Sequence, residues 1–263
     1  MKLDFSRMTK LAEGKTKVIY ANPQDVKTVY MVFKDDITAG DGVKHDVIPG
    51  KARVDWQTNC DIFAYLNRKG VRTHYIDTPG EQIALVRKLD FKINLEVVSR
   101  RVAGGSILHW GKVELGARFD PVVTQFHYKD DPLHDPMLDE GYVRYLISKG
   151  AREYQVMYDI NQQVFLILEQ AFSRFKMQLV DMKLEYGLID GEVVLIDEIT
   201  GGSFRLWPYA KENPNLHQSN VLTELDPSGR LDKDIYRMGG AAEEVLLKFK
   251  AIAAITAQFA SLD

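Results

Sequence analysis

Charged and apolar residues alternate along residues 179–207, and this stretch offers the clearest chemistry in the chain. Its first part divides into two sets at alternate positions, Val180, Met182, Leu184 and Tyr186 in one and Asp181, Lys183, Glu185 and Gly187 in the other. A period of two is typical of a strand with one apolar and one polar face. The pattern therefore predicts a strand that presents Asp181, Lys183 and Glu185 in a row.

A hairpin is predicted to bring further carboxylates to this row. Asp190-Gly191 is a turn signal, residues 192–196 favour a second strand, and Asp197 and Glu198 follow. A two-residue loop would place Glu198 on the face of Glu185, whereas a three-residue loop would place Asp197 there. Two carboxylates so close are unfavourable without a cation, and Mg²⁺ takes oxygen ligands of this kind. The alternative is a solvated face of an antiparallel sheet.

The segment Gly14-Lys15-Thr16-Lys17 places two ammonium groups beside a glycine, which suits a polyphosphate. A P-loop is excluded, because that motif needs a glycine where the chain has Thr9, and a helix where residues 18–20 favour a strand. The alternative is an exposed edge strand whose lysines guard against aggregation.

Arginines supply the next candidate anion sites. Arg100 and Arg101 lead through small residues to Ser106, and a helix is predicted from Ile107. Amides at a helix start, with a guanidinium nearby, form an anion site, although a basic turn is the alternative. Arg205 follows a glycine-rich turn and could clamp a phosphate or a carboxylate.

Two loops rich in carboxylates complete the candidate residues. Residues 34–42 contain Asp36 and Asp41, which could hold a substrate or a water-bound metal, although a plain turn explains them equally well. The spacing does not match an EF-hand. Lys129 stands at the start of a second acidic loop and could reach a nucleotide phosphate. His134 in that loop lacks a second histidine at helical spacing, so it is not assigned as a metal ligand.

The remaining patterns predict the elements that position these residues. Further strands are predicted at residues 18–20, 27–33, 71–75, 83–88, 93–98 and 121–128, with a turn at 78–80, and helices at residues 49–69, 149–175 and 240–260. Ser148 is predicted to cap the second helix, and residues 208–229 to form a surface loop. We therefore expect an α+β protein with an N-terminal antiparallel-sheet domain (1–88), a central α+β domain (89–207) and a C-terminal loop and helical segment (208–263).

Bulk composition limits the classes of function. The chain has 263 residues, of which 45% are hydrophobic and 27% charged, as in soluble globular proteins. A formal net charge of −3 gives no reason to expect a nucleic-acid partner. The single Cys60 excludes an internal disulfide. Neither a membrane-spanning run nor a signal-peptide core is present, so we expect a cytoplasmic protein without a membrane partner.

Six stretches, taken in order, resemble the phosphoribosylaminoimidazole-succinocarboxamide synthase (SAICAR synthetase) family. They are GKTKVIY from position 14, FKDDITAGDG from 33, KDDPLHDP from 129, LVDMKLEYG from 179 with a later Asp-Glu, FRLW from 204 and LDKDIYR from 231. The resemblance covers nearly the whole chain. It implies an ATP-dependent ligase of purine biosynthesis that joins L-aspartate to 5-amino-1-(5-phospho-D-ribosyl)imidazole-4-carboxylate (carboxyaminoimidazole ribonucleotide), with release of ADP and phosphate.

The resemblance also implies a fold and an assembly. The expected fold is α+β, related to ATP-grasp enzymes and protein kinases, with two antiparallel-sheet portions, an ATP cleft between them and a C-terminal helix. The expected assembly is a homodimer, and an apolar stripe on the C-terminal helix points the same way. The alternatives are a small-molecule kinase and a non-catalytic nucleotide-binding regulator on the same fold.

Roles for individual residues follow from the matched motifs. Gly14, Lys15, Thr16 and Lys17 resemble the strand pair that covers the ATP phosphates, with Lys129 near the nucleotide. Glu185 and Asp197 resemble the acidic pair that meets ribose, Mg²⁺ and phosphates, which favours the three-residue loop. Arg100, Ser106 and Arg205 resemble the residues that hold the phosphate and carboxylate of the imidazole nucleotide, although Arg101 remains an alternative to Arg100.

The same motifs imply residues near the reacting groups. Asp181 and Lys183 resemble strand residues that face the imidazole substrate, and Asp36, Thr38 and Asp41 resemble the loop that approaches the reacting end. An acyl phosphate is the expected intermediate, because a carboxylate needs a better leaving group than oxide before an amine can displace it. Such chemistry depends on positioning and charge neutralisation, and it needs no catalytic Cys or Ser.

Overall fold

The fold is that of a computed structural model, which describes residues 3–39, 43–110, 112–147, 151–209 and 228–263. The strands are β1 (Lys10–Glu13), β2 (Lys17–Ala21), β3 (Thr28–Phe33), β4 (Asp36–Ala39), β5 (Lys44–Val47), β6 (Tyr75–Gly80), β7 (Ile83–Arg87), β8 (Phe91–Val102), β9 (Arg118–Tyr128), β10 (Met137–Leu138), β11 (Met177–Ile189), β12 (Glu192–Ile196) and β13 (Phe204–Pro208). The α-helices are α1 (Lys51–Arg68), α2 (Glu140–Leu146), α3 (Ala151–Ser173), α4 (Asp234–Arg237) and α5 (Ala242–Thr256). Short 3₁₀ helices cover Phe5–Arg7, Gly105–His109, Asp131–Leu133 and Ala257–Ser261.

The described strands form two large antiparallel sheets and one small one. The N-terminal sheet has the order β1-β2-β3-β7-β6, and the second has the order β10-β9-β8-β11-β12, with β13 paired to β11. β4 and β5 form a separate two-stranded sheet. The α+β class and the two-sheet architecture are therefore confirmed.

Helix α3 packs against the second sheet, α1 packs against the first sheet, and α5 packs on α1. The largest apolar core contains Phe63 of α1, Leu168 of α3, Leu195 of β12 and Phe249 of α5. The apolar side chains of α5 are thus buried within this chain. Burial of apolar surface stabilises the folded state by about 25 cal/mol per Å². This core is therefore the main interaction that holds the elements around the site in place.

Backbone hydrogen bonds connect the two large sheets directly. His74 N donates to Leu195 O at 2.9 Å, and Leu195 N donates to Arg72 O at 3.0 Å. Thr73 and Leu195 therefore form a parallel bridge between the segment before β6 and strand β12. This connection fixes the N-terminal sheet against β12, the strand that directly precedes Asp197 and Glu198.

Strand β11 contains a bulge at Val180. Leu179 and Asp181 are paired with successive residues of β13, so Val180 is an extra residue that reverses the alternation of the strand. The prediction that Val180 shares the apolar face of Met182 is wrong, because Val180 packs with Trp207 in a separate cluster. Beyond the bulge, the predicted alternation is confirmed.

The hairpin that follows has a two-residue loop. Ile189 pairs with Glu192, and the loop residues Asp190 and Gly191 have φ values of 52° and 76°. Two positive φ values are typical of a type I′ turn, which matches the twist of the strands. The three-residue loop that the family resemblance favoured is therefore wrong. Asp197 lies past the end of β12 in a left-handed conformation, with φ 69°.

Several element predictions are confirmed and others are corrected. The helices predicted at 49–69 and 240–260 correspond to α1 and to α5 with its 3₁₀ extension. The helix predicted from Ile107 is a 3₁₀ segment, Gly105–His109, and the turn predicted at 78–80 lies within the irregular strand β6. The predicted cap Ser148 and most of the loop at 208–229 lie outside the described residues. Among the helices that the structure describes, none has the length and apolarity needed to span a membrane.

Candidate active site

A cleft of about 1500 Å³ lies between the two large sheets. Its walls include the turn between β1 and β2, one face of β8 and β11, and the segment around α4. Of the predicted site residues that the structure describes, the cleft lining contains Gly14, Lys15, Thr16, Lys17, Thr38, Arg100, Ser106, Lys129, Asp181, Lys183, Glu185, Asp197 and Arg205.

Two carboxylates beyond β12 meet the turn of the N-terminal sheet. Lys17 Nζ lies 2.5 Å from both Asp197 Oδ1 and Glu198 Oε2, and Thr16 Oγ1 donates to Glu198 Oε1 at 2.6 Å. The left-handed backbone at Asp197 lets the side chains of Asp197 and Glu198 reach the same ammonium group. In a continued strand, these consecutive side chains would point to opposite faces. The ion pairs of Lys17 and the hydrogen bond of Thr16 therefore connect the two sheets at the cleft.

Burial and charge act in opposite directions on the pKa values of this cluster. Burial alone would lower the pKa of Lys17, but the carboxylates of Asp197 and Glu198 raise it above its usual value. Burial alone would raise the pKa of Asp197, but Lys17 and two further lysines hold it well below its usual range. Lys17 and Asp197 are therefore both charged at neutral pH.

A second charged cluster lies on the polar face of β11. Glu185 is buried, its Oε1 accepts a hydrogen bond from Lys129 Nζ, and its Oε2 lies 2.9 Å from Lys92 Nζ. Lys183 Nζ donates to Glu96 Oε1 at 2.5 Å. Burial would lower the pKa of Lys183, but Glu96 and then Glu185 raise it, so both acids neutralise lysines of the cleft.

Two arginines share one carboxylate farther along the cleft. Asp181 Oδ2 accepts from Arg100 Nη1 at 2.8 Å and from Arg205 Nη1 at 2.7 Å, and Asp181 is buried. Arg100 Nη2 also donates to Ser106 Oγ at 3.1 Å. Asp234 accepts from Arg205 and Arg237, so the group contains three guanidinium groups and two carboxylates, and its net positive charge suits a phosphate or a carboxylate.

The 3₁₀ segment beside this pair approaches Arg205 very closely. A Cβ at Gly105, whose φ is +67°, would lie 2.5 Å from Arg205 Nη2. Arg205 is also held on its other side, because Nε and Nη2 donate to the two oxygens of Asp234 at 2.8 and 3.1 Å. Both Asp181 and Asp234 raise the pKa of Arg205 against the effect of burial. The guanidinium therefore has a single defined position.

The neighbouring arginine faces away from the cleft. Arg101 donates to both carboxylate oxygens of Glu169 on α3, at 2.7 and 3.0 Å, and to Phe119 O at 3.1 Å. Adjacent residues of a strand point to opposite faces. Of the two arginines, Arg100 therefore lies in the cleft and Arg101 lies on the opposite face of β8.

The loop residues predicted near the reacting end are placed differently from one another. Thr38 lines the cleft, but Asp36 is outside the lining and lies 2.8 Å from His45 Nε2. Asp41 lies outside the described residues. At the mouth of the cleft, Lys15 Nζ lies 2.7 Å from Asp131 Oδ2, an exposed ion pair that bridges the two sheets.

The donor set of the cleft fits Mg²⁺ bound together with phosphates. Among the described residues, no group of three or more His, Cys, Asp or Glu side chains is placed to hold a metal by itself. Mg²⁺ usually takes one or two carboxylates and completes its shell with water and substrate phosphates, so Glu185 and Asp197 would suffice. Glu185 Oε2 receives no well-directed hydrogen bond from the described residues, which leaves it able to take a ligand.

Several cleft residues were missed at the sequence level. On β8, the cleft-facing positions Lys92, Asn94 and Glu96 alternate with Ile93, Leu95 and Val97, which are buried. The same period of two that identified the polar face of β11 could have identified this face. Asp234 carried no such signal, because it lies in the short helix α4, outside the regular strands.

Comparison with known proteins places this fold and cleft in a family. The SAICAR synthetase family model matches residues 10–250. A phosphoribosylaminoimidazole-succinocarboxamide synthase of Herpetosiphon aurantiacus is 41% identical over 249 residues, which are 92% of this chain and 93% of that protein.

Solved structures agree with the sequence comparison. The enzyme of the same name from Ehrlichia chaffeensis superposes with a TM-score of 0.82 at 28% identity, over 95% of this chain and 98% of that one. A SAICAR synthetase (Type-2) in complex with ADP superposes with a TM-score of 0.79 at 30% identity, over 93% and 96%. The chain therefore belongs to the SAICAR synthetase family.

Proposed function

We propose that this protein joins L-aspartate to 5-amino-1-(5-phospho-D-ribosyl)imidazole-4-carboxylate, hereafter the imidazole carboxylate, in a reaction that consumes ATP. The observation that carries the proposal is the cleft itself. One part of it groups lysines and carboxylates, and another part holds two arginines on a single acid. Family membership supplies the reaction class, and the relative that contains ADP supports a nucleotide in such a cleft.

The β1–β2 turn and the β11 cluster form the proposed nucleotide side. Lys15 and Lys17 would neutralise phosphate oxygens, and Gly14 lets the backbone approach them. Lys129 and Lys183 lie on the opposite wall, where they are held by Glu185 and Glu96. Ammonium groups on both walls suit an extended polyphosphate, because charge neutralisation is the main requirement of phosphoryl transfer.

Arg100, Ser106 and Arg205 form the proposed site for the imidazole carboxylate. Asp181 and Asp234 orient the guanidinium groups of Arg100, Arg205 and Arg237 without neutralising all three, so an anionic ligand completes the charge balance. A guanidinium binds phosphate or carboxylate through two parallel hydrogen bonds, which fixes the ligand's orientation. Thr38, in the other wall, is proposed to approach the reacting end.

The proposed chemistry has two steps. The carboxylate oxygen of the imidazole substrate attacks the γ-phosphorus of ATP, a P–O bond to ADP breaks, and an acyl phosphate forms. The neutral amine of aspartate then attacks the acyl carbon, a C–N bond forms, and inorganic phosphate leaves with the C–O bond electrons. In both steps the described residues act by binding, orientation and charge neutralisation.

Mg²⁺ is the proposed metal, held by Glu185 and Asp197. When bound, it would neutralise phosphate charge. The carboxylates keep their own lysine partners, so metal and ammonium groups would share the neutralisation of the nucleotide.

Further proposals concern organisation. Residues 1–88 are proposed as a nucleotide-covering domain, 89–207 as the ATP and substrate domain, and 208–263 as a C-terminal loop and helical segment. A homodimer is proposed from the family resemblance alone, because the apolar side chains of α5 are buried in the chain's own core. Analytical ultracentrifugation would test the dimer, and cell fractionation would test the proposed cytoplasmic location.

The decisive experiment measures ADP release with each component omitted in turn. We expect release only when ATP, Mg²⁺, the imidazole carboxylate and aspartate are all present, and we expect EDTA to stop it. Release that matches product formation without aspartate would instead identify a small-molecule kinase. Nucleotide binding with no turnover in the complete mixture would identify a regulator.

A further inference from the structure

Lys233 lies in a segment that is fixed to the wall of the cleft. Leu231 and Leu206 exchange backbone hydrogen bonds of 3.0 and 2.7 Å, and Trp207 Nε1 donates to Asp232 Oδ2 at 3.0 Å. Asp234, on the other side, holds Arg205. Both neighbours of Lys233 thus anchor the segment to β13, while the side chain of Lys233 itself lines the cleft.

Among the residues that the structure describes, the side-chain nitrogen of Lys233 has no acidic partner. Within the part of the chain that the structure describes, no carboxylate lies within 4.0 Å of its nitrogen. The groups that face it are Arg237 on α4, Lys183 on β11, and Lys51 with Asp55 on α1. Asp55 accepts a hydrogen bond from Lys51, so the only acid among these groups is already engaged.

This environment favours the neutral amine. Burial, and then the charges of Arg237, Lys183 and Lys51, lower the pKa of Lys233 to about 7, while Asp55 opposes them. The cleft lysines with adjacent carboxylates behave in the opposite way. The pKa values of Lys17, Lys129 and Lys183 are all raised.

The second step of the proposed reaction needs a base. Aspartate enters at neutral pH as an ammonium ion, which has no electron pair with which to attack an acyl carbon. A proton must leave that nitrogen before or during attack, and a positioned base is most effective when its pKa lies near the working pH. Lysines that are held as ammonium ions by carboxylates cannot accept it.

We infer that Lys233 is the general base that takes the proton from the α-ammonium group of L-aspartate. The inference rests on the proposed function. In the step, Lys233 Nζ uses its lone pair to accept one of the two protons that the aspartate nitrogen loses. That nitrogen forms the C–N bond, and phosphate leaves the acyl carbon with the C–O bond electrons and takes the second proton. The ammonium ion on Lys233 returns the proton to solvent after product release.

The surrounding structure leaves room for a substrate at this point. A Cβ placed on Gly202 would lie 3.7 Å from Lys233 Nζ, in the turn that precedes β13. On the side of Gly202, therefore, no side chain stands between Lys233 and the turn. Lys51 and Arg237 are cationic groups of the cleft lining that could face the two carboxylates of aspartate.

The test compares two replacements of Lys233 with a matched control. Lys233→Met removes the base, and Lys233→Arg keeps a positive charge that cannot be deprotonated at assay pH. We expect both to lower kcat/KM for aspartate by about 100-fold or more, the usual contribution of a general base, with KM for ATP unchanged. Lys250→Met, at an exposed position of α5, should behave as the wild type.

The pH profile separates a base from a structural cation. Wild-type kcat/KM for aspartate should fall tenfold per pH unit on the acidic side of a pKa near 7. The fall should be absent in Lys233→Met. His109, which also lines the cleft, is the competing base. Loss of the acidic fall in His109→Gln, with its retention in Lys233→Met, would overturn the inference.

A chemical restoration guards against a variant that merely fails to fold. Lys233→Cys, alkylated with 2-bromoethylamine, regains an amine that is a weaker base than lysine. We expect activity to return with its acidic fall at lower pH, and wild-type enzyme treated in the same way controls for Cys60, which is buried. No return of activity would overturn the inference, as would full activity of Lys233→Arg. Wild-type enzyme without aspartate-dependent ADP release would refute the proposed function instead.

Discussion

Replacement of Gly105 by alanine tests how firmly Arg205 is held. The added Cβ would lie 2.5 Å from Arg205 Nη2, and ordinary contacts begin at 3.4 Å, so the guanidinium must retreat by about an ångström. The end of an arginine usually moves at little cost. Here it is fixed by Asp181 and Asp234, so its movement breaks at least one charged hydrogen bond.

Gly116→Ala supplies the matched control. Gly116 also has a positive φ, +88°, but a Cβ there would meet nothing within 4 Å. A left-handed alanine costs about 1–2 kcal/mol in either variant. Gly105→Ala adds the lost hydrogen bond, about 1.5–3 kcal/mol, so the difference between the two variants should be about 1.5–3 kcal/mol.

Urea unfolding at pH 7 and 25 °C, followed by circular dichroism, measures both free energies of unfolding. Gly105→Ala should also raise KM for the imidazole carboxylate, whereas Gly116→Ala should leave it unchanged. Equal losses of stability would refute the reasoning, because they would mean that Arg205 moves freely. A normal KM in Gly105→Ala would separate Arg205 from substrate binding.

Three other changes probe the charges of the cleft. Glu185→Gln removes a proposed Mg²⁺ ligand and the carboxylate that positions Lys129, so ADP affinity with Mg²⁺ should fall by about tenfold or more in calorimetry; an unchanged value would contradict the nucleotide role. Asp131→Ala frees Lys15 from an exposed pair worth up to ~1 kcal/mol, so ADP should bind up to about fivefold more tightly, and weaker binding would argue against a phosphate role for Lys15. Despite burial, Arg205 lowers the pKa of Asp234 to about 2. That stabilisation is complete above the unfolded pKa of about 3.9 and is lost as pH falls towards 2, so the melting temperature of Asp234→Asn should change less over this window than that of the wild type. Parallel curves would refute the assignment.

Regular strands were the part of the site that the sequence could predict. Lys183 and Glu185 share the polar face of β11, as the period of two required, and Arg100 lies in the cleft. The predicted helices at 49–69 and 240–260 followed from helix-period apolar positions and flanking glycines. In each case a repeating pattern reports directly which side chains share a face.

Departures from regular structure were not predictable in this way. The bulge at Val180 changes the face of β11, and a single extra residue leaves no mark on composition. The left-handed conformation of Asp197 brings it to Lys17 despite a register that would place it on the other face. Pairing across the cleft, such as Lys15 with Asp131, depends on how the two sheets meet, and local spacing carries no information on that.

The main-chain link between Leu195 and residues 72–74 limits how nucleotide can enter. Two domains that contact each other only through side chains can rotate apart as rigid bodies. Here such a rotation would break the buried main-chain hydrogen bonds between Leu195 and residues 72–74. Nucleotide entry then needs only small displacements at the rim of the cleft, where the ion pair between Lys15 and Asp131 breaks and forms again. We expect the observed rate of nucleotide association to rise linearly with nucleotide concentration without reaching a plateau, since no slow interdomain rearrangement precedes binding.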